Sequence, residues 1–157
     1  STVTDVEGNV YKTVQIGNQI WMAENLRTRK YADGSDIPNV TGDSEWLGLS
    51  TGAWAQYNHD PLLGACYGYL YNGHAVEDPR GLCPEGWHVP TDADWTELSE
   101  SLGGNSVAGG KMKATGTDDW LSPNNGATNE SGFNGLPGGL RSNLYGQFTT
   151  LTVWGAF

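Results

Sequence analysis

Between Arg29 and Asp60 no hydrophobic period persists, yet Trp46, Trp54 and Tyr57 stand there among Gly, Asp, Ser, Asn and Pro. Disordered segments are poor in aromatic residues, so this stretch reads as a long loop packed down by its rings. The rest of the chain follows the same logic. Seven Trp, seven Tyr and 23 Gly accompany few aliphatic residues, so the core is expected to consist of flat rings set among tight turns. A buried ring removes about 150–250 Å² from water, so a few of them replace many leucines. A chain of 157 residues can enclose one such core, and we expect a single domain over 1–157.

Regular structure is announced in a few places. Val10, Lys12, Val14 and Ile16 alternate with Tyr11, Thr13 and Gln15, break at Gly17-Asn18 and resume from Gln19 to Met22. A Gly-Asn pair between β-branched runs predicts an N-terminal hairpin with a two-residue I′ or II′ turn. "CYGYLYN", Cys66 to Asn72, alternates as a short strand would. In "CPEGWHVPTDADWTEL" Thr91 occupies an N-cap position, Asp94 completes a capping box, and Trp95, Leu98 and Leu102 follow at helical spacing,. A helix is predicted from Thr91 to Gly103-Gly104, where glycine reaches the left-handed terminus. The Trp87–Trp95 segment then forms a strand-to-helix corner. "AGGKMKATG" reads as a short second helix, and "DDWLSPNNGATNESGFNGLPGGLR" as a rigid loop anchored by Trp120, Leu121, Phe133 and Leu136.

Charge and motifs exclude several functions. Eight basic residues against 18 acidic ones disfavour a nucleic-acid partner, because phosphate binding needs clustered Lys and Arg. No run approaches the roughly 20 apolar residues of a membrane span. His59, His74 and His88 share no zinc spacing,. There is no nucleophile elbow, Ser-His-Asp order or phosphate-binding glycine loop, so no catalytic residue is expected.

Three candidate sites remain, each with a competing reading. Cys66 and Cys83 lack a Cys-x-x-Cys redox motif and read as a disulfide worth about 3 kcal/mol by chain entropy, the alternative being two separate thiols. Asp118, Asp119, Asn124, Asn129 and Glu130 collect oxygen donors in one Gly-rich loop, a pattern that suits calcium,. The same residue types are the commonest turn formers. Trp46, Trp54 and Tyr57, if exposed, offer stacking surfaces for a sugar or peptide; buried, they are loop anchors.

Read in order, "TVTDVEGNVYKTVQIGNQIWMAENL", "YGYLYN", "CPEGWHVPTDADWTEL", "AGGKMKATG" and "GATNESGFNGLPGG" resemble the Fibrobacter succinogenes major paralogous domain, a family of secreted or surface-attached bacterial modules. The likeness spans nearly the whole chain. It implies an extracellular or cell-surface module of α+β class, distantly similar to the loop-rich C-type-lectin and formylglycine-generating-enzyme folds. Such a fold has short antiparallel strands, an N-terminal hairpin and one or two helices.

The expected function is a non-catalytic binding or adhesion module for a carbohydrate or protein ligand; the alternative is a structural subunit of an extracellular assembly or filament. Family members continue past "VWGAF" into closing strands, so the resemblance implies either that the last segment lacks its usual cover or that the closing strands follow beyond these residues. "QFTTLTVWGAF" is expected to be a strand or extended arm whose open edge recruits a second polypeptide or neighbouring subunit at Val153–Phe157.

Overall fold

In the computed structural model, which describes residues 1–155, β1 (Thr2–Thr4), β2 (Val10–Ile16) and β3 (Gln19–Met22) form an antiparallel sheet in that order. The expected hairpin is β2–β3, with Ile16 facing Gln19 and Val14 facing Trp21. Of its two turn residues only Gly17 has positive φ, +58°, the II′ arrangement that glycine at the first turn position permits. Alternation sorts the faces: Ile16 and Trp21 are buried, whereas Ile20 is 61% exposed.

The chain continues through α1 (Asp43–Leu47), β4 (Trp54–Ala55), a 3-10 turn (Tyr57–His59), α2 (Pro61–Tyr67), β5 (Leu70–Tyr71) and α3 (Gly73–Val76). It ends with α4 (Asp92–Ser101), α5 (Asn105–Met112), β6 (Leu140–Arg141) and β7 (Phe148–Thr149). β4 pairs with β5 and β6 with β7, both antiparallel. The class is α+β with short antiparallel strands. Among the described residues there are five short helices rather than one or two.

α4 begins at Thr91 as expected. The Thr91 hydroxyl accepts the Asp94 amide, and the Asp94 carboxylate accepts the Thr91 amide. The second helix lies earlier than predicted: α5 starts after Gly104 and stops at Met112, because Lys113 leaves to bridge Gly135. "CYGYLYN" divides, its first two residues closing α2 and only Leu70–Tyr71 forming strand. No ladder forms at Trp87–Val89, so the strand half of the expected corner is absent.

Three aromatic-rich clusters hold these pieces. The first joins Ile16 and Trp21 of the hairpin to Leu98, Leu102, Ala108 and Phe133. The second joins Tyr31, Ile37, Trp54 and Leu82, with Leu26, Tyr69 and Tyr71 against them. The third joins Val40, Trp46, Ala53 and Ala55, with Leu49 and Phe148. Arg141 lies buried beside the third; its guanidinium stands over the Trp46 and Phe148 rings and donates to the carbonyls of Val40, Thr41 and Gly146. A cation is tolerated there because carbonyls and ring faces replace its water.

The expected rigid loop is anchored at Trp120, whose indole donates to the Gly135 carbonyl at 3.0 Å, and at Phe133; Leu121 is exposed instead. The end of the chain corrects the expected arm. Strand stops at Thr149, and Thr150 and Thr152 take positive φ, curling 150–154 into a turn. Its backbone is held, since Gly139 donates to the Trp154 carbonyl and Leu121 to that of Thr152. The Trp154 side chain is nevertheless 60% exposed. Phe157 lies outside the described residues.

Candidate functional site: an apolar groove beside the hairpin

The first and second clusters do not close on each other. Between them runs a cavity of about 630 Å³. Trp21, Trp95 and Phe133 reach it from the first cluster, and Leu26, Tyr69, Tyr71 and Leu82 from the second. Cys83 and the stretch Gly86 to Pro90 also line it, together with Gly135 and Leu136. Its size and apolar, aromatic lining are those of a ligand site.

Local chemistry fixes the walls. Asp60 caps α2 by accepting the Leu62 amide, with Pro61 at the first helical position,. The helix ends at Gly68, φ +75°, where a Cβ would stand 2.5 Å from that of Asn25. That close approach lets the Asn25 amide group donate to the Tyr67 carbonyl at 2.8 Å and the Tyr69 amide to the Leu26 carbonyl at 2.9 Å. The chain leaving β3 and the chain entering β5 are therefore joined at one end of the groove.

The other wall is the corner preceding α4. One Asp94 oxygen, Oδ2, takes the Thr91 amide at 2.8 Å, the Thr91 hydroxyl at 2.7 Å and His88 Nε2 at 3.0 Å. These bonds, those to Thr91 first, hold the Asp94 carboxyl down at about 2. Gln19 of β3 donates to the Asp94 carbonyl, tying hairpin to corner.

Several titratable side chains of the groove are shifted by burial or engaged in hydrogen bonds. Burial pushes the Cys83 thiol up to about 11, which suppresses the reactive thiolate. His88 is committed to a capping carboxylate on the exposed rim. Burial, then the hydrogen bond to Asp119, raises the Tyr67 phenol to about 12, so it remains a donor. Burial likewise raises Tyr71, whose hydroxyl donates to the Thr28 carbonyl.

The sites expected from sequence fall elsewhere or come apart. Trp46, Trp54 and Tyr57 are 8%, 7% and 8% exposed and do not form a stacking face. Trp54 stacks on Tyr69 and donates to the Ile37 carbonyl, and Tyr57 packs on Phe148. Each ring is worth more to a core short of aliphatic residues than to the surface. Cys66 and Cys83 are separate thiols rather than a disulfide: Cys66 is exposed near the end of α2, while Cys83 faces the groove.

The oxygen-rich loop is bonded partly within itself and partly to its neighbours, while the side-chain oxygen of Asn124 is buried without a hydrogen-bond partner among the described residues. Asp119 accepts from Tyr67, Asn124 donates to the carbonyls of Ala114 and Gly116, Asn129 bonds Asn134, and Glu130 pairs with Lys111. Asp118 has no such partner among the described residues, and no three acidic, His or Cys groups gather there to hold a metal.

The sequence reading missed the groove residues Trp21, Tyr69, Leu70 and Leu82. A signal was present: "QIWMAENL", "YGYLY", "CPEGWHVP" and "FNGLPGG", each part of a family motif, all line one cavity.

Fold and groove together define an α+β domain with short strands, a core rich in rings and an apolar groove. The family model of the Fibrobacter succinogenes major domain matches residues 14–157, and the chain belongs to that family. No curated protein and no solved structure matches the chain. No helix among the described residues is long and apolar enough to cross a membrane.

Proposed function

We propose that this domain is a non-catalytic binding module, working outside the cell or on its surface, and that its ligand occupies the groove between β3, β5 and the corner before α4. The observation that supports this reading is the 630 Å³ cavity, into which the chain's aromatic motifs converge. Apolar, ring-lined cavities of this size are the usual form of a ligand pocket. The muted thiol and the engaged His88–Asp94 pair favour binding over catalysis. The extracellular setting follows from the family resemblance.

The test screens the domain on a glycan array and on a display library of extended peptides, then compares the captured ligand with two variants. Val89→Arg places a long cation in the groove mouth, and Leu144→Arg changes a more exposed apolar residue, away from the groove, in the β6–β7 connection. Val89→Arg should weaken binding at least about tenfold, the cost of displacing one well-packed contact, and Leu144→Arg should leave it unchanged. Capture of no ligand, or equal affinity in both variants, contradicts the reading.

A further inference from the structure

The groove runs along the edge of the hairpin, not over one of its faces. Every residue from Gln19 to Leu26 lines it, whereas a cavity over a face would meet alternate residues only. In the β2–β3 ladder the Ala23 amide bonds the Lys12 carbonyl. With Val14 opposite Trp21 and Ile16 opposite Gln19, the residues turned away from β2 are Ile20 and Met22,.

The same parity holds across the cavity. Asn72 bonds Ala53 and Trp54 lies opposite Tyr71, so the Tyr71 backbone turns away from β4. Among the described residues no hydrogen bond reaches the backbone N–H or C=O of Ile20, Met22 or Tyr71. Two open strand edges, joined at Leu26–Tyr69, thus flank one apolar groove. Open edges beside apolar surface are templates for another strand.

Resting on the binding reading above, we propose that the ligand is an extended polypeptide segment that enters as a β-strand, bonding Ile20 and Met22 on one side and Tyr71 on the other. Main-chain bonds would hold it, and alternate side chains would enter the aromatic lining. Its charge follows from the walls. Glu24, paired with Arg27, and Asp94, bonded to Thr91 and His88, are the carboxylates lining the groove, no Lys or Arg lines it, and the chain carries a net charge of −10. The segment is therefore neutral or basic and free of proline at its bonding positions.

The probe is a capped peptide of alternating threonine and valine with a lysine at each end, titrated into the intact domain while amide hydrogen exchange is followed. Binding should slow exchange at Ile20, Met22 and Tyr71 by about tenfold or more. The same peptide N-methylated at every second amide should bind about tenfold more weakly, having lost its edge donors, as should a version with glutamate at each end. Ile20→Pro removes an outward N–H without touching the β2 ladder and should weaken binding similarly; the N-methylated peptide makes the same test without altering the protein.

Equal binding of the methylated peptide, protection confined to other amides, or no saturable binding overturns strand addition. If Val89→Arg still abolishes capture of a glycan in that case, the groove remains the binding site and only the identity of its ligand is wrong.

Discussion

At Asp94 a single carboxylate oxygen serves the helix, the corner and the groove rim at once. It accepts from the amide and hydroxyl of Thr91 and from His88. Those bonds favour the ionised form, so the folded-state value of about 2 lies below the ordinary carboxylate range,. The sign follows from linkage: a depressed acid contributes stability above its unfolded value, about 4, and loses it as the pH falls through the folded one. Asp94→Asn should therefore lower the urea midpoint at pH values above about 5, and the gap to the parent should shrink toward pH 2. A gap that persists unchanged at pH 2 would show that the ionised carboxylate is not what holds the corner.

The helices show why some elements are legible in sequence and others are not. α4 carries its own boundaries, with Thr91 and Asp94 at one end and glycine at the other, and the β2–β3 hairpin carries its turn. α1, α2 and α3 span four to seven residues, too few for a period, and are held by distant contacts. The Asp60-Pro61 start of α2 was a readable signal,. β4 and β5 are two residues each and exist only as partners.

Side-chain burial was hardest to read. Trp46 and Trp54 have the composition of a binding face and the surroundings of a core. The groove itself depends on chain segments far apart in sequence, so its motifs were visible but their meeting point was not.

α5 provides a prediction at this scale. Gly109 has open space where a Cβ would be, while a Cβ on Gly110 would collide with the Gly126 carbonyl. The Thr128 amide bonds the Gly110 carbonyl at 2.9 Å, which is what draws the loop so close. Gly109→Ala should stabilise the domain by about 0.5–1 kcal/mol through helix propensity. Gly110→Ala should destabilise it by about 1–3 kcal/mol because the added methyl overpacks the helix–loop contact. Urea denaturation reads both, and equal gains from the two substitutions would refute the packing argument.

Across the whole molecule, three small clusters of mixed aromatic and aliphatic side chains do the work of one large aliphatic core, and the apolar groove runs along the seam between two of them. Glycine-rich turns let the chain double back often enough to bring four distant motifs to that seam. The exposed Trp154 sits outside this arrangement; a second chain seated over Val153 and Trp154 remains a separate proposal from ligand binding in the groove. A crystal structure of the domain with its captured ligand tests groove binding directly. Density is expected along the edge of β3, between Ile20 and Tyr71. A ligand seated over Trp154, or on the side of Trp46 and Tyr57, with the groove still open, would contradict it.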